Sequence, residues 1–216
     1  RDLVRSRGLG DVYKRQHLVH RIDKDTSGCL VIALKKSFLR KLHQEIRNKD
    51  VDKIYDLIVF GEWPKNLNSI EAPLSKVRMG SGEKEAIVQS DGKLSKTQFK
   101  VIKSTQKFSQ LKAKILTGRM HQIRAHTKFQ GYPVVGDRKY GDEILNKNER
   151  KNGLNRMLLH AYSINFKNLD DETSIAKRQL MIATQIFKHI DNDQPIRFLI
   201  AECEQPISIF LSLIHI

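Results

Sequence analysis

The chain has 216 residues, 39% of them hydrophobic, and a formal charge of +15. That is enough for one sizeable domain with a real core, and the cationic excess favours a polyanionic partner, of which nucleic acid is the commonest. Two cysteines, Cys29 and Cys203, without CxxC spacing argue against a disulfide framework or a zinc site. No apolar run approaches the roughly 20 residues of a membrane span. No signal-peptide pattern is present either, so a cytoplasmic protein with no membrane association is expected.

Both termini read as artefacts. "DVYKRQ" (residues 11–16) can be encoded by GAT GTG TAT AAG AGA CAG, whose reverse complement encodes the C-terminal "LSLIHI" (residues 211–216). This resembles a sequencing adaptor translated at both ends of a DNA fragment. Residues 1–16 and 211–216 are therefore set apart, which leaves 17–210 as the natural, truncated segment. Residues 1–16 carry five basic and two acidic side chains, so the remainder still stands near +12.

In chain order, Cys29–Leu34 is a short apolar run and predicts a buried strand. A helix follows in "SFLRKLHQEIRNK", with Ser37 as its cap and Phe38, Leu42 and Ile46 on one face. "DKIYDLIVFG" reads as a strand that Gly61 ends. Residues 62–95, with Pro64, Pro73 and several glycines, read as loops and a short hairpin. "TQFKVIK" and "QLKAKIL" alternate as paired, half-exposed strands. "MHQIRAHTKFQ" is helical up to Gly131, "PVVGDRKYGD" is rich in turns, and "RMLLHAYSINF" is a strand. Residues 170–195 favour no element, and "IRFLIAE" is a last strand. Short loops join several of the strands, so the pattern predicts an α+β domain with a mixed, mainly antiparallel β-sheet and a few flanking helices.

Two clusters carry chemistry. In "HRIDKDTSG" (His20 to Gly28), Asp23 lies between Arg21 and Lys24, just ahead of the apolar strand. An aspartate in a loop is usually a turn former. Here the neighbouring cations would keep its carboxylate ionised and available as a nucleophile. In "TGRMHQIRAH" (Thr117 to His126), Arg119, His121, Arg124 and His126 crowd a helix start with donors, where a phosphate would be welcome. The spacing is not that of the HExxH metal motif. A metal shared by His17, His20 and Asp23 would need a helix that the sequence does not show, so no metal is expected. His160 reads as a core or supporting histidine. Tyr55 starts an apolar strand, where a phenol packs, stacks on a base or moves a proton.

Together and in order, these stretches resemble the RluA-type pseudouridine synthases. "HRIDKDTSG" resembles the family's signature around its aspartate, "KIY" its Lys-x-Tyr element and "TGRMHQIRAH" its third motif. "GYPVVGDRKYG" and "GLNRMLLHAYSINF" resemble the segments that follow. The resemblance spans about Leu18 to Phe166, and "EAPLSK" and "TQFKVI" lean towards the RluC-like branch, which acts on large-subunit ribosomal RNA. It implies isomerisation of uridine to pseudouridine in RNA, with 23S ribosomal RNA as the substrate and without cofactor or metal; no membrane is expected, and no obligate protein partner is inferred. By matched position, Asp23 would be the nucleophile or base, Tyr55 the active-site tyrosine and Arg124 the partner of the aspartate. Arg119 and His121 would support them, and Arg21 would belong to the loop that contacts RNA. The target base has to be flipped out of its stack to be reached. The family's domain begins upstream with strands and an Asn-Lys-Pro-x-Gly segment that this chain lacks, as it lacks any S4-type RNA-binding domain. Missing strands expose sheet edges and core, so the fragment by itself is expected to be unstable or inactive. A non-catalytic RNA-binding module of the same fold, a tRNA-directed synthase and a carboxylate-dependent glycosidase remain as alternatives, although a glycosidase normally uses two positioned acids.

Overall fold

The computed structural model describes residues 17–33, 35–80, 82–167 and 180–184. The expectations for residues 1–16, for the strand at 196–202 and for 211–216 lie outside the described residues. The strands are β1 (His17–Leu18), β2 (Ser27–Ala33), β3 (Val51–Phe60), β4 (Ser69–Glu71), β5 (Leu74–Arg78), β6 (Lys84–Val88), β7 (Lys96–Ser104), β8 (Phe108–Ile115), β9 (Leu159–Phe166) and β10 (Leu180–Thr184). The helices are α1 (Lys36–Asn48), α2 (Gln122–Phe129) and α3 (Glu143–Lys151).

One sheet runs in the order β1-β2-β9-β3-β8-β7-β4, with β10 also paired to β2. Its pairings are antiparallel except β2 with β9, which run parallel through Ser27–His160 and Gly28–Ala161. The α+β class with a mainly antiparallel, mixed sheet is therefore what the structure shows. β5 and β6 form a separate hairpin, which is the hairpin expected between residues 62 and 95.

The side-chain pattern of each strand follows from what covers it. β8 alternates: Leu111 and Ala113 are fully buried, while Lys112 and Lys114 reach out to Asp56 and Asp52 on β3. β3 instead ends in four consecutive buried residues because both of its faces are covered there. Leu57 and Val59 pack with Trp63, Phe99 and Leu111, whereas Ile58 and Phe60 pack with Phe108, Val135 and Leu158 on the other side. α1 lays Phe38 and Leu42 on Val19, Val31 and Phe166, with Ile46 beside them. Burying such side chains contributes roughly 2 kcal/mol each.

Ser37 does not cap α1. The Lys35 carbonyl accepts the first intrahelical bond, from Leu39 N–H at 3.0 Å, so Lys35 is the cap and Ser37 sits inside the first turn without a capping bond. α3 was not expected. It has good end signals: Asp142 accepts from Leu145 N–H at 2.9 Å, and Arg150 and Lys151 close the last turn. What it lacks is an apolar stripe, because its buried residues are Asn146 and Glu149 while Ile144 is exposed.

Candidate active site

The loop between β1 and β2 carries Asp23. Its turn is closed by Thr26 N–H donating to the Asp23 carbonyl at 3.1 Å. Behind it, Ser27 Oγ accepts from Arg156 Nη2 at 2.6 Å and lies 2.9 Å from the buried His160 Nδ1 on β9. His160 thus supports the loop from behind. Gly28, at φ +107°, lets β2 come so close to β9 that a Cβ there would run into the Ala161 backbone. The Asp23 loop is therefore mounted on the point where β2 meets β9.

The start of α2 supplies the facing wall. Arg124 is buried, and its Nη1 reaches Asp23 Oδ2 at 3.4 Å. The other edge of the guanidinium grips Asp137, with Nε to Oδ2 at 2.7 Å and Nη2 to Oδ1 at 2.9 Å. Asp137 Oδ1 also accepts from the amides of Lys139 at 2.8 Å and Tyr140 at 2.9 Å. Asn146 of α3 fixes this loop from beneath: it accepts from Gly136 N–H at 2.7 Å and donates to the Asp137 carbonyl at 2.9 Å. Burial opposes charge on both Arg124 and Asp137, but their mutual bonding outweighs it. Arg124 is held above, and Asp137 below, the ordinary value.

His121 precedes α2 in a left-handed backbone conformation, φ 50°. Its Nε2 lies 3.9 Å from Asp23 Oδ1 and its Nδ1 2.8 Å from the Tyr140 hydroxyl. Burial holds it below the ordinary histidine value, and the Asp23 charge pulls the other way. Tyr55 enters the same cleft from β3. Burial, with the Asp23 charge, pushes its phenol up to about 12, so it is protonated at neutral pH.

Asp23, Tyr55, His121 and Arg124 line one cleft of about 570 Å³, a volume suited to a small-molecule-sized group. Arg21 and Arg119 stand exposed on the same lining, and Arg119 is tied by its Nε to the Leu94 carbonyl at 3.1 Å. Asp23 is the one acid among six Lys and Arg side chains of that lining, so the cleft attracts anions. The six residues that the resemblance assigned to the site therefore meet here. His126 does not join them: it is buried, bonded to Thr97 Oγ1 at 2.9 Å and to the Ala72 carbonyl at 3.0 Å. It sits five residues after His121, and the helix turns it towards β7. His20 also lines the cleft, and its Nε2 accepts from Val31 N–H at 3.2 Å. Asp137, Tyr140 and Lys53 lie inside the stretches "GYPVVGDRKYG" and "KIY", but sequence reasoning gave none of them a role. Lys53 stands two residues before Tyr55, hence on the same strand face, and lines the cleft, where burial lowers its pKa.

Three comparisons place the chain among known proteins. A family profile described as RNA pseudouridylate synthase matches residues 2–129. "Ribosomal large subunit pseudouridine synthase C" of Haemophilus ducreyi is 45% identical over 150 residues, which are 69% of this chain and 47% of that protein. Its namesake in Escherichia coli K12 is 42% identical over 151 residues, again 69% of this chain and 47% of that protein. The chain thus spans about half the length of these relatives. Among solved structures, human RNA pseudouridylate synthase domain containing 1 superposes with a TM-score of 0.64 at 21% identity, over 94% of this chain and 82% of that one. Human RNA pseudouridylate synthase domain containing 4 gives 0.57 at 24% identity, over 77% and 69%. At such identities these two speak for the fold.

Proposed function

Since the chain belongs to the RNA pseudouridylate synthase family, we propose that its protein isomerises uridine to pseudouridine in large-subunit ribosomal RNA, with Asp23 as the reactive carboxylate. One observation carries this reading. Asp23 and Arg124, 101 residues apart in the chain, meet at 3.4 Å in a basic cleft that also holds Tyr55. The substrate assignment is supported by the relatives named for the large ribosomal subunit.

The reaction conserves every atom. The C1′–N1 bond breaks, a C1′–C5 bond forms, the C5 proton leaves, and N1 regains a proton. The uracil has to rotate in place between these steps, so the site must hold a free base without releasing it. Asp23 acts as nucleophile or base on the flipped-out nucleotide. Arg124, locked by Asp137, aims that carboxylate and costs no reorganisation during the reaction. Tyr55 gives the uracil a flat face, and since its phenol is protonated at neutral pH it takes the C5 proton only by passing its own proton on in the same step. Arg21 and Arg119, exposed at the rim, hold phosphates of the displaced strand.

The test is pseudouridine mapping of ribosomal RNA from cells lacking the intact gene, complemented with the full-length native protein or with Asp23→Ala. The native protein restores a modified uridine in the large-subunit RNA and Asp23→Ala leaves it unmodified. Equal modification by both would remove Asp23 from the chemistry. Loss of no site on deletion, with RNA binding retained, would favour a non-catalytic RNA-binding module.

A further inference from the structure

Tyr140 touches both groups that face Asp23, and the motifs read in the sequence assign it nothing. Its ring lies under the guanidinium of Arg124, 4.8 Å from Cζ, and edge-on to His121 at 81° with centroids 5.4 Å apart. Its hydroxyl has two polar neighbours: the Ala86 amide nitrogen on β6 at 2.7 Å and His121 Nδ1 at 2.8 Å. We infer that Tyr140 is a positioning residue, whose hydroxyl fixes His121 in the tautomer that turns Nε2–H towards Asp23.

The direction of each bond follows from the donors. A backbone amide only donates, so Ala86 N–H occupies a lone pair of the phenol oxygen. The phenol proton is then free for His121 Nδ1. Burial pushes the Tyr140 phenol up to about 12, which keeps that proton on the oxygen at neutral pH. A neutral imidazole that accepts at Nδ1 carries its hydrogen on Nε2. That atom stands 3.9 Å from Asp23 Oδ1, while Arg124 Nη1 stands 3.4 Å from Oδ2. Each carboxylate oxygen therefore faces its own donor. The His121 contact is longer than a hydrogen bond, as catalytic contacts often are before substrate binds. The left-handed backbone of His121 is uncommon for a non-glycine residue. It places the ring between Tyr140 and Asp23, and such conformations gather at functional sites. Asp137 reinforces the arrangement by accepting from the Tyr140 amide at 2.9 Å while gripping Arg124.

The competing possibility is a packing role, since Tyr140 belongs to the cluster of Leu74, Ala86 and Ala125 that seats the β5–β6 hairpin on α2. Tyr140→Phe separates the two, because it keeps the ring and removes the hydroxyl. The direct readout is the 15N NMR tautomer of His121 in the native full-length protein, which needs no variant and no turnover. Nε2–H is expected there, with redistribution towards Nδ1–H in Tyr140→Phe. The loss of about one hydrogen bond's orientation lowers kcat on ribosomal RNA roughly 5- to 10-fold and leaves KM within about twofold. An Nδ1–H tautomer in the native protein overturns the inference. So does a Tyr140→Phe protein with unchanged tautomer and kcat. The role at Asp23 rests on the proposed reaction, but the tautomer does not. A native Nε2–H tautomer that redistributes in Tyr140→Phe, in a protein that forms no pseudouridine, upholds the hydrogen-bond relay and sinks the reaction instead.

Discussion

Asp137→Asn removes one charge and almost no volume from the buried pair behind Asp23. Asp137 is fully buried and receives four donors: Oδ1 takes Arg124 Nη2 and the amides of Lys139 and Tyr140, and Oδ2 takes Arg124 Nε. An asparagine keeps the threefold acceptor position with its oxygen. Its NH2 then faces Arg124 Nε–H where Oδ2 now accepts at 2.7 Å, and two donors oppose each other. Removing one partner of a buried ion pair costs roughly 3–5 kcal/mol. Asp23 stays 3.4 Å from the same guanidinium and compensates in part, so the lower end, about 3 kcal/mol, applies. For a chain of this size that lowers Tm by roughly 6–12 °C. Thermal and urea unfolding measure it. Pseudouridine formation falls as well, because a guanidinium freed on one side no longer aims Asp23. Arg124→Met with Asp137→Asn provides the counter-experiment: the asparagine oxygen keeps the Lys139 and Tyr140 amides paired, no guanidinium opposes its NH2, and much of the stability returns with none of the activity. An Asp137→Asn protein that melts within about 2 °C of native and turns over at the native rate would refute the pairing as the anchor of the site.

Two further outcomes follow from the same geometry. Gly28→Ala forces a Cβ into the Ala161 backbone at a positive φ, which costs about 3 kcal/mol or more and separates β2 from β9. The urea midpoint falls accordingly, and an unchanged midpoint would mean the two strands do not approach so closely. His20 is held to about 4, first by burial and then by the Lys53 charge, and its Nε2 already accepts from Val31 N–H. Below pH 6.5 the unfolded chain takes up a proton at this site that the folded one does not. Stability is therefore complete above about pH 6.5 and falls as pH drops towards 4, by no more than about 3 kcal/mol for this group. His20→Gln flattens that slope in pH-dependent urea unfolding. It does not abolish it, because His121 and His126 are also held low by burial. An identical slope in the variant would show that His20 is not buried neutral.

The sequence by itself determined what depends on near neighbours in the chain. Alternation in "QLKAKIL" was enough to tell the core face of β8 from its lysine face, and the fourfold spacing of Phe38, Leu42 and Ile46 marked the buried side of α1. The ordered stretches also named six of the residues that line the cleft. α3 was not legible because its inward residues are Asn146 and Glu149, which look like any polar surface until a loop is found hanging from Asn146. Ser37 and His126 resembled a cap and a phosphate donor in type, and only the helix start and the helix rotation removed them from those roles. Most of all, the meeting of Asp23 with Arg124, the grip of Asp137 and the bond from Tyr140 to His121 were decided by tertiary structure. The physical reason is range. Periodicity is written in steps of two to four residues, whereas a hydrogen-bond partner is chosen by whichever strand or turn the sheet brings within 3 Å, and a carboxylate in a loop carries no local mark of its future cation.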